Sequence, residues 1–165
     1  MDLTAIRLLV LDVDGVLTDG RITASAGGDD AKSFHVQDGY AIKLWQKSGG
    51  NVAILSGRRS GDVQRRADEL GIALVRMGMD DKLVGLNELL ERASTSGAQT
   101  ACMGDDLPDL AAMRVCGFPI APANASPTIK RVARFVTRRR GGEGAVAEAI
   151  ELILRKQRRW SAGKF

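Results

Sequence analysis

Runs of aliphatic residues alternate along the chain with segments whose apolar positions recur at helical spacing. Ile6 to Val13 is an unbroken apolar run of the kind covered on both faces of a sheet, and Asn51–Leu55, Ala73–Arg76, Thr100–Met103 and Phe118–Ala121 are shorter runs of the same type. Between them lie four segments of helical periodicity: Gly39–Lys47, Asp62–Leu70 with Gly71 as a C-cap, Lys82–Arg92, and Leu107–Val115 with Gly117 after it. This succession predicts an α/β fold, a Rossmann-like parallel sheet with helices on both faces and ligands gathered beyond the carboxyl ends of the strands. Residues 18–36 interrupt the alternation. There RITAS and KSFHV flank a Gly/Asp-rich turn, which predicts a small β-hairpin inserted after the first strand, too short to be a domain. A last amphipathic helix covers Gly144–Arg159 behind Arg138-Arg139-Arg140-Gly141-Gly142, and no internal repeat is present.

Composition narrows this to one domain over residues 1–165, with the insertion at 18–36 and a C-terminal tail at 138–165. A chain of 165 residues and 17.7 kDa, 44% hydrophobic and 4% aromatic, buries roughly 68–70% of its unfolded surface, so it needs no disulfide or structural metal to hold a core. Cys102 and Cys116 sit in apolar surroundings with no CxxC spacing and read as core thiols of a reducing compartment. Asp12 and Asp14 interrupt the N-terminal apolar run, and no stretch approaches the roughly 18 apolar residues of a membrane span. The expectation is a cytoplasmic protein with neither signal peptide nor membrane contact. Charge is divided unevenly: residues 1–129 carry 13 basic and 17 acidic side chains, net −4, and residues 130–165 carry 11 and 3, net +8. Such a tail suits nucleic acid, an anionic membrane surface or a small anionic substrate.

The candidate chemistry lies at the strand ends. Asp12-Val13-Asp14-Gly15 closes the first strand, where residues i and i+2 point the same way and a glycine lets backbone approach a ligand. A strand-end turn with capping Asp residues is the plainer reading of that motif. A second acidic cluster, Gly104-Asp105-Asp106-Leu107-Pro108-Asp109, follows the Thr100–Met103 strand. Three carboxylates within five residues suit a hard divalent cation, with Asp105 as the ligand, while Asp106 or Asp109 can serve as a helix cap. After the Asn51–Leu55 strand, Ser56-Gly57 offers a hydroxyl and free N–H groups to a phosphate, and Arg58 and Arg59 can hold a second anionic group such as a carboxylate. Lys82, at the start of a helix, is informative only beside these companions.

Those four elements, in this order, are the pattern of the haloacid dehalogenase superfamily. The segments DVDGVLTDGRI, SFHVQDGYAIK, ILSGRRS, the Lys82 region, MGDDLPDLAAM and TRRRGGEGAVAE together resemble the small capless 3-deoxy-D-manno-octulosonate 8-phosphate phosphatases over nearly the whole chain. The resemblance implies a phosphatase without a cap domain that works through an aspartyl-phosphate. Asp12 is the nucleophile and Asp14 the general acid and base. Mg²⁺ is held by Asp12, the Asp14 carbonyl and Asp105; Ser56 and Lys82 hold the phosphoryl oxygens; Asp106 and Asp109 orient the metal ligands or the helix. Substrate contacts are expected from Arg58, Arg59, Asp38, Tyr40 and Thr18, with Asp38 alternatively an N-cap. The implied partners are a sugar acid phosphate and further copies of the chain, a homotetramer whose subunits cover one another's sites.

Gln37, Glu143 and Ala147 stand where these phosphatases usually carry Arg, and the GGEG tail is similar to that of the 2-keto-3-deoxynononate 9-phosphate phosphatases, the alternative substrate class. A dehalogenase would need neither Asp14 nor Asp105, and a mutase needs a cap to exclude water. A nucleic-acid-binding module is the rival of another class, but the tail lacks interleaved aromatics and any binding motif. His35 reads as a packed or exposed residue, and Met77 and Met79 as packing.

Overall fold

Strands β1 (Leu8–Leu11), β2 (Asn51–Ser56), β3 (Leu74–Met77), β4 (Thr100–Met103), β5 (Phe118–Ala121) and β6 (Phe135–Val136) form one sheet in a computed structural model that describes residues 3–23 and 31–160. The order is β3-β2-β1-β4-β5-β6 and every pairing is parallel. Because the order reverses between β1 and β4, the connections leave these two neighbours in opposite directions and open a crevice at their carboxyl ends. Asp12 follows β1 and Gly104-Asp105 follows β4, so the two acidic motifs meet there.

The alternation of side chains in β1 divides the core. Leu9 and Leu11 join Ile42, Trp45, Ala67 and Ile150 under helices α1 (Val36–Lys47), α2 (Gly61–Leu70) and α6 (Ala145–Lys156). Leu8 and Val10 join Leu86, Leu89, Met113 and Ile129 under α3 (Lys82–Arg92), α4 (Leu110–Val115) and α5 (Pro127–Val132). All four β1 side chains are inaccessible to solvent, as the continuous apolar run requires of a central parallel strand. Trp45, also inaccessible, satisfies its indole N–H by donating to the Asn51 carbonyl at 2.8 Å. Cys102 and Cys116 are buried and free. Met77 and Met79 pack against the two halves of the core.

Several boundaries differ from those read in the sequence, each for a local reason. The ladder stops at Leu11, because Asp14 (ψ 116°) and Gly15 (φ 87°) break the following turn, Val13–Leu17, into a kink. The expected hairpin is not a pair of strands among the described residues. Thr23 and Ala31 form a single antiparallel bridge, the turn at 24–30 lies outside the described residues, and KSFHV is no strand. His35 instead precedes α1, which begins at Val36 rather than Gly39. Helix is extended there because Asp38 must sit inside it: its Oδ1 accepts from the Ala147 N–H of α6 at 2.8 Å and ties the two helices together. Gly39 is tolerated within α1 because the Arg66 guanidinium occupies the space a side chain would need, 2.2 Å from an ideal Cβ. Pro108 and the Asp109 carboxylate divide the expected Leu107–Val115 helix into a tight turn, Leu107–Asp109, and the shorter α4. Helix α5, opened by Pro127 after Ser126, and the two-residue β6 were not expected.

The C-terminal tail folds back onto the loop that follows β1. Asn124 is the buckle: its amide donates to the Gly15 carbonyl at 2.9 Å while its side-chain oxygen accepts from the Gly141 N–H at 2.6 Å. Gly142 N–H donates to the Val16 carbonyl at 3.0 Å. An ideal Cβ on Gly141 would lie 1.8 Å from the Gly15 oxygen, so the glycine is required by close approach. Truncation of Asn124 to Ala leaves both backbone groups without a partner and is expected to cost about 1–3 kcal/mol, measurable by urea unfolding at constant slope.

Candidate active site

A cavity of about 310 Å³ opens at the carboxyl ends of β1, β2 and β4. Asp12 and Asp14 line it from the loop after β1, Ser56 from the last position of β2 with Gly57 and Arg58 just beyond it, Lys82 from the start of α3, and Asp105, Asp106 and Asp109 from the loop after β4. The sequence-predicted nucleophile, acid, phosphate ligands and acidic cluster are thus brought to one place.

At its floor Lys82 is buried between two carboxylates, with Nζ 2.7 Å from Asp12 Oδ1 and 2.6 Å from Asp109 Oδ1. The Asp109 Oδ2 accepts from the N–H groups of Asp105 at 2.9 Å and Asp106 at 3.2 Å, which folds the Gly104–Asp109 loop around it. Gly15 is held at φ 87° directly beneath Asp105; an ideal Cβ there would meet Asp105 Oδ2 at 2.1 Å. Ser56 is buried, and its hydroxyl accepts from the Arg58 N–H at 3.3 Å.

Charge is concentrated beyond what Lys82 balances. Burial, reinforced by Asp109 and opposed by Lys82, pushes the Asp12 carboxyl up to about 7. Burial, with Asp109 and Asp106 adding to it, pushes Asp105 up to about 6. Burial depresses the Lys82 ammonium, but attraction to Asp12 and Asp109 outweighs it, and the pKa stands above the ordinary value. Carboxylate oxygens of Asp12, Asp105 and Asp109 lie within 4.8 Å of one another. This oxygen donor set, with one ammonium against three carboxylates, fits a hard divalent cation. The Asp14 carboxylate pairs instead with the Lys32 ammonium at the edge of this cluster.

Well below pH 4 Asp12 and Asp105 are both protonated folded or unfolded, but between about pH 4 and 7 the folded, metal-free protein retains protons that the unfolded chain releases. Their contribution to stability therefore falls as pH rises through that window. Magnesium, which competes with those protons, is expected to raise the thermal midpoint of chelator-treated protein more at pH 7.5 than at pH 5, as scanning calorimetry would record.

Among the expected substrate contacts, Arg58 lines the cavity and the other four do not. Thr18 is buried, with its hydroxyl on the Val13 carbonyl and the Gly20 N–H, so it staples its own loop. Asp38 caps α6, not its own helix. Burial raises its pKa, and its Oδ2 and the neighbouring His35 Nδ1 are buried without a hydrogen-bond partner. Tyr40 is exposed on a separate groove of about 350 Å³ between α1 and α6, together with Gln37 and Ala147. Arg59 rests its side chain against Gly78. Two tail arginines are likewise engaged elsewhere: the Arg139 guanidinium donates to Gln37 at 2.6 Å and Arg155 pairs with Glu151, while Glu148 accepts from the main-chain N–H groups of Arg138 and Arg139. Neither Lys32 nor Asn124 belongs to the motifs that mark the site in the sequence. The Pro-Ala-Asn-Ala-Ser loop after β5 carried a turn signal for Asn124, whereas nothing in the spacing marked Lys32.

A sequence model of the haloacid dehalogenase-like hydrolases matches residues 74–150. The chain is 44% identical over 152 residues to the 3-deoxy-D-manno-octulosonate 8-phosphate phosphatase of Yersinia pestis, covering 92% of this chain and 81% of that protein. The corresponding Escherichia coli K12 enzyme is 42% identical over the same shares. Among solved structures, the cobalt-bound phosphatase of Haemophilus influenzae superposes with a TM-score of 0.93 at 40% identity, over 95% of this chain and 92% of that one. The Moraxella catarrhalis phosphatase in complex with magnesium ion, phosphate ion and KDO superposes with a TM-score of 0.92 at 42% identity, over 95% and 90%.

Proposed function

The chain belongs to the 3-deoxy-D-manno-octulosonate 8-phosphate phosphatases of the haloacid dehalogenase-like hydrolases, and on that premise we propose that it hydrolyses this sugar acid phosphate to the free sugar acid and inorganic phosphate. The observation that carries the reading is the convergence of Asp12, Asp14, Ser56, Lys82 and Asp105 on one cavity.

In the first step an Asp12 oxygen attacks phosphorus; the Asp12 O–P bond forms as the bond to the sugar oxygen breaks, and Asp14 gives that oxygen its proton. In the second, Asp14 takes a proton from a water that attacks phosphorus, and the Asp12 O–P bond breaks to release phosphate. Lys82 and Ser56 hold the phosphoryl oxygens throughout, and Asp109 fixes the Lys82 ammonium toward them. Asp12, Asp105 and the Asp14 carbonyl hold magnesium, which when bound supplies the positive charge that offsets repulsion between the Asp12 carboxylate and the phosphoryl group. Arg58 receives the distal carboxylate of the substrate.

The positions that depart from the usual Arg pattern, Gln37, Glu143 and Ala147, line no part of this cavity, so they leave the phosphate chemistry intact. Magnesium-dependent phosphate release from octulosonate 8-phosphate and nononate 9-phosphate, compared by kcat/KM, tests the substrate. Release from neither excludes the reading, and a preference for the second reassigns it. A cytoplasmic homotetramer, without nucleic acid or membrane as partner, completes the proposal. Ile22, Val36 and Tyr40 are apolar side chains more than half exposed around the insertion and the start of α1, a surface suited to neighbouring subunits. Sedimentation of a fully active monomer would overturn that assembly.

A further inference from the structure

We propose that Lys32, contributed by the insertion after β1, is a positioning residue for the acid/base step, holding the Asp14 carboxylate in the orientation that meets the leaving sugar oxygen. The inference rests on the phosphatase reading above. Lys32 Nζ is paired with Asp14 Oδ1, and its side chain is only 3% exposed although it stands in a surface insertion. Burial of an ammonium is costly unless a charge partner is fixed beside it, so the pair has a defined geometry. The main chain at Lys32 is anchored as well: Ala31 bridges to Thr23, and the Lys32 N–H donates to Asp62 Oδ2 of α2 at 3.0 Å. Arg65 holds the other oxygen of Asp62. The ammonium is therefore delivered from a fixed point to one oxygen of Asp14.

Its position relative to the cavity assigns the role. Asp14 lines the catalytic cavity, whereas Lys32 is not among the residues lining it and lines a second pocket with Phe34, Asp62 and Arg66. Lys32 is thus assigned to the Asp14 carboxylate, and Lys82 to the phosphoryl group. Asp14 needs such a hold because it sits in the kinked Val13–Leu17 turn, between an extended Asp12 and Gly15 at positive φ, where no helix or strand fixes its side chain. In a protein without a cap, the insertion then supplies part of the catalytic geometry.

The test exploits the leaving group. A sugar alkoxide must be protonated as it departs, and p-nitrophenolate need not be, so a misplaced acid penalises the first far more than the second. The value of kcat/KM reports steps through P–O cleavage. For Lys32→Met the ratio of kcat/KM on octulosonate 8-phosphate to kcat/KM on p-nitrophenyl phosphate is expected to fall on the order of 30-fold or more, and Lys32→Arg to recover most of it. Should the Met variant fail to fold, Lys32→Gln carries the same comparison. An unchanged ratio, whether both activities fall together or neither falls, overturns the proposal. A wild-type protein inert toward both phosphates overturns the phosphatase reading itself, and is distinguished by the wild-type measurement.

Discussion

Asp12→Asn is expected to reduce magnesium-dependent phosphate release by at least about 10³-fold, with the folded state retained. The amide has the size of the carboxyl but cannot form a covalent bond to phosphorus at this centre, and no neighbouring group can replace it. Asp105 and Asp109 lie close by, but Asp109 is occupied by Lys82 and two main-chain N–H groups. The predicted thermal behaviour separates lost chemistry from lost structure. Burial and Asp109 both disfavour ionised Asp12 in the metal-free protein, so a neutral side chain relieves that cost and the chelated variant should melt no lower than wild type at pH 7.5. Its midpoint should respond less to magnesium, because a ligand has been removed. Measurement of phosphate release by a colorimetric assay, beside calorimetry with and without magnesium, checks both halves. Turnover near the wild-type rate would exclude the aspartyl-phosphate mechanism.

How the site could be read from sequence follows from what each part depends on. Asp12, Ser56 and Asp105 lie at or just beyond the ends of strands whose apolar runs are plain, and a parallel sheet carries whatever follows its strands to one edge. Lys82 was placed by its helix start, which the structure leaves at the expected residue with Asp81 as N-cap. What failed to appear depends on contacts distant in sequence. Asp38 looks like a helix cap and is one, but for α6, 109 residues away. The kink at Gly15 is recognisable only once Asp105 and Gly141 are seen to press on it. Lys32 pairs with Asp14 across an insertion that reads as a short hairpin, where local composition does not distinguish a buried positioning group from an ordinary surface lysine. The charged tail shows the same limit: its arginines suggest a track for an anion, and tertiary structure turns the Arg139 guanidinium to Gln37 and that of Arg155 to Glu151.

Lys82→Met is expected to be the most damaging single substitution to both stability and turnover. Met fills nearly the same volume, so the change isolates charge. It leaves Asp12 and Asp109 facing one another, buried, with no cation between them in the metal-free protein. Removal of one partner from a buried ionic group typically costs about 3–5 kcal/mol, because the remaining charge stays desolvated. The pH dependence identifies the cause. Lys82 lowers the Asp12 pKa, so without it that carboxyl holds its proton to still higher pH, and the pair escapes repulsion by protonation. The deficit relative to wild type should therefore be smallest at low pH, where the folded variant keeps Asp12 protonated, and should grow as pH rises toward 8. Magnesium can restore part of the stability by neutralising Asp12, but it cannot replace an ammonium that contacts the phosphoryl oxygens, and kcat should remain down by roughly 10²-fold or more. Urea unfolding at pH 4.5 and pH 8, with and without magnesium, checks the charge argument. A deficit that does not vary with pH would mean that Lys82 acts through packing, and a variant with wild-type kcat would remove it from the phosphate site.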